Sequence, residues 1–258
     1  MVVFTSLFAC FAILERFIPA RQATIDWRIR WLNNLGLSFF NSAIVRLVNP
    51  FSGTVFAVLV EQNNWGLLNL TNLPVLISIP LFLLVFDLTI YFQHRVFHYF
   101  QILWVLHRVH HADPDYDLTT GTRFHPLSIL ISMSIKLVLV LLLGAPALAI
   151  LVAEILLNAT SMFNHSNIKL SKKLDRRLRN VIVTPDMHRI HRSTDEQEQG
   201  CNFGFNFSCW DKLFGTYLEA PKQSQAEMSL GIEGINGSDA TRIDGLLLQP
   251  FLRVNHSR

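Results

Sequence analysis

Long apolar runs alternate with polar, histidine-bearing stretches along most of the chain. The clearest run extends from Leu73 to Phe92, and only Pro74, Pro80 and Asp87 interrupt it. A helix of about 20 mostly apolar residues is long enough to cross a bilayer. This run therefore predicts a membrane-spanning helix.

The N-terminal part of the chain holds two weaker candidates. Residues 2–18 are apolar as far as Glu15 and lack the basic start and small-residue cleavage site of a signal peptide, so we expect a retained first helix. Residues 35–60 are apolar but include Arg46 and Asn49-Pro50. They fit either one broken crossing or a shallow hairpin.

The apolar stretch at residues 127–157 is too long for one upright helix. Near its middle stands Gly144-Ala145-Pro146, a combination that favours a turn. We therefore expect two antiparallel helices here. Together the apolar segments predict an all-α, multi-pass helical membrane protein with about four to five membrane segments.

Composition agrees with a membrane protein. Half of the residues are hydrophobic and only 16% are charged, against about 25% in soluble proteins. The net charge of +3 is small and the basic residues lie beside apolar segments, which argues against nucleic-acid binding. Because apolar and polar stretches alternate, we expect one membrane-embedded domain at residues 1–220, followed by a polar, loosely structured C-terminal tail at residues 221–258.

The distribution of basic residues predicts the orientation in the membrane. Lys and Arg collect in cytoplasmic loops of membrane proteins. Here they are concentrated in residues 21–30 and 169–179, whereas residues 61–72 have none. We expect an integral membrane protein whose histidine-rich segments form a helical cap on the cytoplasmic face.

Nine of the ten histidines lie between residues 94 and 191, and most of them form three short groups. The spacing is i,i+4 in the first group, i,i+3,i+4 in the second and i,i+3 in the third. Residues three and four apart share one face of a helix, so each group can direct its imidazoles to one spot. The groups are His94 and His98; His107, His110 and His111; and His188 and His191.

These groups predict a metal site. A neutral imidazole binds iron, zinc and copper well, and it brings no negative charge close to the bilayer. A single histidine beside a membrane is usually an interfacial polar residue, but three spaced groups favour metal binding. Seven or eight such ligands suit two metal ions better than one.

Further residues are candidates for the surroundings of the metal. His165 follows the second apolar hairpin and returns to the same face, so we include it among the ligands. His125 precedes that hairpin, where a hydrogen bond at the helix start competes with a place beside the metal. Ligating histidines usually donate their second N–H to a carboxylate or carbonyl, which makes Asp87, Asp113 and Asp186 candidates. Asp87 is favoured because an ionisable group inside an apolar run is costly.

These motifs resemble the fatty acid hydroxylase and sterol desaturase superfamily, whose members carry one His-x3-His box and two His-x2-His-His boxes. The resemblance covers residues 73–217. Beyond the boxes it extends to Asp87-Leu-Thr-Ile-Tyr91, Arg123-Phe-His-Pro126, Phe163-Asn-His-Ser-Asn167, Thr184-Pro-Asp-Met-His188, Asn202-Phe-Gly-Phe-Asn206 and Trp210-Asp-Lys-Leu-Phe-Gly215.

The resemblance implies a helical membrane protein with a cytosolic cap over a non-haem di-iron centre. Such a centre uses dioxygen and electrons from a redox partner to oxidise a C–H bond of a lipid. The implied cofactors are two iron ions, although zinc can occupy such sites in isolated protein. Carried onto matching positions, the implied metal ligands are His94, His98, His107, His110, His111, His165, His188 and His191.

Two positions depart from the family pattern. Arg192 stands where the last histidine of the third box is expected, and a cation cannot ligate a metal ion. One of the two sites is then a ligand short, so we place Arg192 beside the ligand set, together with Asp87, His125 and Asp186. Ser128 replaces a glutamate that relatives often carry.

Three functions fit these features. The favoured one is an oxygen-dependent lipid hydroxylase that acts on a fatty acyl or sterol C–H bond. The alternatives are a lipid desaturase or ether-cleaving monooxygenase with the same centre, and a catalytically impaired lipid-binding homologue, which Arg192 keeps open. A metal-dependent hydrolase is less favoured because no His-Glu-x-x-His motif occurs.

The reaction needs partners that the chain does not contain. It has no cysteine set for an iron–sulfur cluster and no dinucleotide fingerprint, so a separate ferredoxin, small cytochrome or reductase would supply electrons. The lipid substrate would arrive from the bilayer. We expect Phe97, Trp104, Phe124 and Phe163 to line its route, although aromatic residues near a membrane belong more often to the core or the interfacial belt.

Overall fold

The computed structural model describes residues 2–49, 51–71 and 73–252, which are helical and contain no β-strand, only isolated bridges. Two 3₁₀ turns lie at Leu118–Thr122 and Gln249–Phe251. The predicted all-α class is confirmed. The α-helices are α1 (Val2–Phe17), α2 (Trp27–Val48), α3 (Gly53–Gln62), α4 (Leu67–Leu70), α5 (Val75–Tyr99), α6 (Gln101–His111), α7 (Pro126–Leu143), α8 (Ala147–Asn164), α9 (Lys172–Leu178), α10 (Pro185–His191), α11 (Glu196–Gln199), α12 (Cys209–Leu213), α13 (Ser238–Thr241) and α14 (Ile243–Leu248).

Four helical segments of the described chain are long and apolar enough to cross a membrane. They are Trp27–Leu70, which contains α2 to α4, and the single helices α5, α7 and α8. This number agrees with the predicted multi-pass architecture. Helix α1 forms as predicted, but with 16 residues it is shorter than these four segments.

Helix α5 carries the predicted span directly into the first histidine group. It has 25 residues and ends only at Tyr99, so that His94 and His98 lie on the same helix as Asp87. All three polar side chains are buried, whereas many apolar residues of α5 are exposed. A helix of this kind exposes its apolar surface to lipid and turns its polar groups inward.

Helices α7 and α8 form the predicted antiparallel hairpin. Gly144 ends α7 in the left-handed conformation, with φ of 65°. A Cβ at this position would lie 2.3 Å from the carbonyl oxygen of Trp65, so the turn requires glycine. The hairpin packs against α3 and α5 through a core of small and aromatic side chains, which includes Ala57, Val60, Phe82, Phe86, Ile90, Val140, Ala149 and Ala153.

The N-terminal apolar region runs along this hairpin as an interrupted path. Asn41 of α2 donates a hydrogen bond of 2.8 Å to the carbonyl of Phe124, just before α7 begins. Beyond α3, a Cβ on Gly66 would lie 2.2 Å from the amide nitrogen of Gly144, where α7 ends. Helices α2 and α3 therefore follow one another along α7. Of the two alternatives for residues 35–60, this path agrees with one broken crossing and not with a shallow hairpin. Pro50 lies outside the described residues.

Short helices and loops cover the end of the bundle where α5 and α8 finish and α7 begins. A buried ion-pair network fastens this cover to α2: Arg30 donates to Asp113 at 3.0 Å and to Asp117 at 2.8 Å, and Arg123 lies 3.5 Å from Asp113. Burial alone would raise the pKa of Asp113, but the charges of Arg123 and Arg30 lower it to about 2. Asp113 is therefore ionised at neutral pH.

The C-terminal region is better ordered than its sequence predicts. Ile232, Ile235 and Ala240 pack around Trp104 of α6, and Leu246 is fully buried against α2 and α6. Arg108 also donates to the carbonyl of Leu252 at 2.8 Å. The expectation of a loosely structured tail is therefore wrong for the described residues up to 252. Its apolar residues have no regular period, but several of them, among them Ile232, Ile235 and Leu246, pack on α6 or α2.

Candidate metal centre

The structure brings all eight predicted ligand histidines together as two adjacent groups. In each group the candidate ligand atoms lie within 4.8 Å of one another, and every ring is buried. The five-histidine group consists of His94, His98, His107, His111 and His191. The three-histidine group consists of His110, His165 and His188.

Two short helices contribute to both groups. On α6, His107 and His111 face the five-histidine group, whereas His110 faces the three-histidine group. On α10, His188 and His191 likewise belong to different groups, with ring centroids 5.4 Å apart. The expectation that each sequence group points at one spot is therefore wrong for the second and third groups. Residues three apart on a helix differ in direction enough to face neighbouring sites.

Backbone carbonyls set the orientation of three rings. The Nδ1–H groups of His94, His165 and His191 donate to the carbonyls of Phe203, Ser161 and Cys201 at 2.9, 2.8 and 2.7 Å, respectively. Each Nε2 then carries the lone pair and faces its group. Such second bonds fix the tautomer of a metal-ligating histidine.

The Nε2 atoms converge in both groups. In the five-histidine group, Nε2 of His191 is 3.0 Å from that of His94. In the three-histidine group, Nε2 of His165 is 3.2 Å from that of His110 and 3.1 Å from that of His188. Nitrogen lone pairs that face one another at this distance suit a shared metal ion.

Burial keeps the rings neutral. It is the largest cause that holds the pKa values of His107, His110, His111, His188 and His191 well below the usual 6.5, and neighbouring histidines and Arg192 act in the same direction. Burial and then Arg192 lower the pKa of His165 to about 3. Neutral imidazole is the metal-binding form, so the residues present fit a metal centre.

Asp87 acts on the site through a loop. Its carboxylate accepts the backbone N–H groups of Asn206 and Phe207, both at 3.1 Å, and the indole N–H of Trp210 at 2.8 Å. This is the loop whose Phe203 carbonyl accepts from His94. The sequence predicted that Asp87 bonds directly to a ligating histidine. In the structure Asp87 instead holds the loop that orients His94.

The other predicted neighbours make local contacts. Asp186 pairs with Arg189 at 2.8 Å. His125 begins α7, where its Nδ1 accepts the N–H of Leu127 at 3.3 Å. Neither contact involves a histidine of the two groups. Arg192 follows α10 directly, is buried, and donates from Nη2 to the carbonyl of His110.

The aromatic residues predicted to line a lipid route pack around the histidines. Phe124 stacks on His110 with ring centroids 4.5 Å apart, Trp104 lies 4.9 Å from His98, and Phe97 lies 5.7 Å from His107. Phe163 packs on Phe11 at 6.0 Å. Phe97 and Trp104 are buried, which is typical of core residues.

A cavity of about 750 Å³ reaches the five-histidine group from the surface. His98 and Phe203 form part of its wall, and the exposed side chains of Phe92, Val96 and Tyr99 lie along α5 beside it. None of the four predicted route residues lines this cavity. Its other lining residues are Arg95, Phe100, Glu196, Gln199, Gly200 and Thr216.

A family model for fatty acid hydroxylase matches residues 79–216, more than half of the chain. The chain belongs to the fatty acid hydroxylase family. The matched range contains all eight clustered histidines and the loop that Asp87 holds. Helices α1 and α2 and the packed C-terminal region lie outside the matched range and pack against it.

Relatives of this fatty acid hydroxylase family member include lipid oxygenases. Ornithine lipid hydroxylase OlsE from Rhizobium tropici is 26% identical over an alignment of 262 residues. The alignment covers 98% of this chain and 75% of that protein. Alkylglycerol monooxygenase from Homo sapiens is 26% identical over 136 residues, and that from Danio rerio is 30% identical over 131 residues. Each of these two matches covers 51% of this chain and 28% of the relative. No solved structure matches.

Sequence reasoning missed the roles of the segment at residues 201–211 in this family member. The carbonyls of Cys201 and Phe203 orient ligand candidates, and Asp211 accepts the N–H groups of Phe203 and Gly204 at 2.7 and 2.8 Å. Burial raises the pKa of Asp211 to about 6. The motif Asn202–Asn206 indicated that this segment matters. Every residue has a backbone carbonyl, however, so the residue types could not show which carbonyls accept from a histidine.

Proposed function

We propose that this protein hydroxylates a C–H bond of a membrane lipid, using dioxygen and two iron ions held by the two histidine groups. The observation that carries the proposal is the gathering of eight buried histidines into adjacent groups at one end of a bundle of apolar helices. The family and the lipid-oxidising relatives support the same chemistry.

The donor set suits iron. Both groups offer only imidazole nitrogens, which bind iron, zinc and copper, and the rings are neutral before metal arrives. His94, His98, His107, His111 and His191 would hold one ion, and His110, His165 and His188 the other. When bound, iron would supply the activation of dioxygen that protein side chains cannot provide.

The chain's own residues position the lipid. Exposed Phe92, Val96 and Tyr99 on α5 offer an apolar wall along which an alkyl chain can move from the bilayer. The ring of Phe203 lies 5.2 Å from both His98 and His191, where the cavity meets the five-histidine group. An alkyl chain in the cavity would exclude water from the reacting carbon.

Orientation and electron supply complete the proposal. The basic residues in 21–30 and 169–179 flank helix ends on the histidine side, which favours a cytoplasmic location for this end. A separate electron carrier would dock there. Hydroxylation and cleavage of an alkyl ether share the initial C–H oxidation, and the alkylglycerol monooxygenase relatives favour ether cleavage as the second candidate.

The proposal is tested by isotope labelling in cells that produce the protein. We expect lipids that contain one heavy oxygen atom when growth takes place under isotopically heavy dioxygen, and we expect the label to disappear in the His188→Ala variant, which keeps only two ligands in its group. Elemental analysis of the purified protein should find about two iron ions per chain, one for each histidine group. Unlabelled lipids in cells whose protein carries its full iron content would contradict hydroxylation, whereas an aldehyde released from a glyceryl ether would favour ether cleavage.

A further inference from the structure

Arg192 is a buried cation without a counter-ion. Arg192 is only 1% exposed. It forms no ion pair with any carboxylate of the described residues. Nη2 donates to the carbonyl of His110, but Nε and Nη1 have no hydrogen-bond partner among the described residues. A buried charge and buried N–H groups without partners are costly.

The guanidinium lies beside the three-histidine group. Arg192 is the C-cap residue of α10 and follows His188 by four positions. Its bond to the carbonyl of His110 brings it to a second member of the group. The guanidinium therefore contacts the backbone of this group but supplies no ligand to the metal.

The buried carboxylate of Asp113 is already engaged by other cations. Asp113 accepts from Arg30 and lies 3.5 Å from Arg123, so it serves two other buried cations. A metal ion among three neutral imidazoles would add further positive charge to this region. The three-histidine group also leaves a coordination position open, since structural metal sites usually have four or more ligands. An anion would both neutralise the unpaired charge of Arg192 and fill the open coordination position of the metal.

We propose that Arg192 and the metal of the three-histidine group together bind a small carboxylate-type oxyanion, such as formate or bicarbonate. This inference rests on the proposed metal site and goes beyond the proposed reaction. One oxygen of the anion would accept from N–H groups of the planar guanidinium fork, and the other would be free to bind the metal. The site is too enclosed for a lipid head group, because His110, His165 and His188 are at most 2% exposed.

Formate binding to the cobalt-loaded protein tests the proposal, because the visible spectrum of cobalt reports its ligands without any turnover. The parent protein should show a saturable spectral change. Charge-assisted hydrogen bonds to a buried group predict that Arg192→Gln needs about ten- to a hundredfold more formate for half-saturation. Arg192→Lys keeps the charge but loses the fork, so its half-saturation should fall between the two.

Arg189→Gln is the matched control. Arg189 is also buried on α10, but it already has a counter-ion in Asp186, so this variant should bind formate as the parent does. Equal formate affinity in the parent and in Arg192→Gln would overturn the proposal, as would a parent that carries cobalt in both groups and shows no formate response. If Arg192→Gln does not fold, Arg192→Lys decides, since affinity equal to that of the parent would exclude a role for the fork. Absence of labelled lipid beside an intact formate response would count against the proposed reaction alone.

Discussion

The indole Nε1 of Trp210 donates a 2.8 Å hydrogen bond to Asp87, although the two residues are 123 positions apart in the sequence. Asp87 lies within a membrane helix, and Trp210 belongs to the loop region that carries the Phe203 carbonyl. The bond therefore connects the apolar bundle to the orientation of His94. A residue that sequence analysis favours as a partner of a histidine acts instead on the backbone that meets the histidine.

Asp87→Ala should weaken both the fold and the five-histidine group. The substitution leaves two backbone N–H groups and one indole N–H without their acceptor, at about 1–3 kcal/mol for each buried group. We expect a clear fall in Tm and a lower metal content, measured by thermal unfolding in detergent and by elemental analysis. Thr89→Ala is the control, because among the described residues the Thr89 hydroxyl bonds only within α5, to the carbonyl of Val85. An unchanged Tm in Asp87→Ala would show that the loop does not depend on this carboxylate.

Ligand removal should affect the two histidine groups unequally. His188→Ala leaves two ligands in its group, whereas His107→Ala leaves four in the other. We therefore expect His188→Ala to lose most of the metal from the three-histidine group, and His107→Ala to retain metal with weaker affinity. Metal content after dialysis against a chelator measures the difference. Equal losses in both variants would mean that the two groups do not bind metal separately.

The metal-free protein should become less stable in mild acid. The native pKa of His165 is about 3, below its unfolded value of 6.5, because burial and Arg192 favour the neutral ring. A lowered pKa contributes stability above pH 6.5, and this stability is lost as the pH falls from 6.5 towards 3. Each such histidine costs about 1.4 kcal/mol per pH unit within that window.

Thermal unfolding at pH 8 and pH 5 measures this effect, with a lower Tm expected at pH 5. Added zinc competes with protons for the same nitrogens. It should therefore shift the loss of stability to lower pH. A Tm that is the same at both values in the metal-free protein would contradict the neutral, buried state of these rings.

Gly144→Ala should disrupt the α7–α8 turn. A Cβ would lie 2.3 Å from the carbonyl oxygen of Trp65, and φ is 65°, so both contact and conformation oppose the change. We expect a loss of about 1–3 kcal/mol or more. Gly215→Ala is the matched control, because its φ is 69° but nothing lies within 4 Å of the added atom. It should cost only about 1 kcal/mol, and equal losses would exclude the contact as the cause.

Val96→Trp should hinder the lipid without removing metal. Val96 lines the cavity beside the five-histidine group, and a bulky ring there occupies the path of an alkyl chain. We expect KM for the lipid to rise roughly tenfold, as for a moderate steric cost, with an unchanged metal content. Val75→Trp places the same ring at the exposed start of the same helix, away from the cavity, and should leave KM as it is. A normal KM in Val96→Trp would place the lipid route elsewhere.

The sequence by itself determined the features that depend on local period and turn chemistry. The run from Leu73 predicts α5, Gly144 predicts the hairpin turn, and the spacing of His107 and His111 places two rings on one helix face. These predictions succeed because helical periodicity and the left-handed preference of glycine act within a few residues. The eight histidines that gather in the structure are likewise visible as a set in the sequence.

Only the tertiary structure decided how those histidines divide. The assignment of His110 and His188 to one group and of His107 and His191 to another depends on the docking of α6 and α10, which no local pattern encodes. The partners of the rings are backbone carbonyls, which every residue carries, so the sequence could not single them out. The C-terminal region packs on α6 because scattered apolar residues find matching spaces there, and that fit exists only once the helices have assembled.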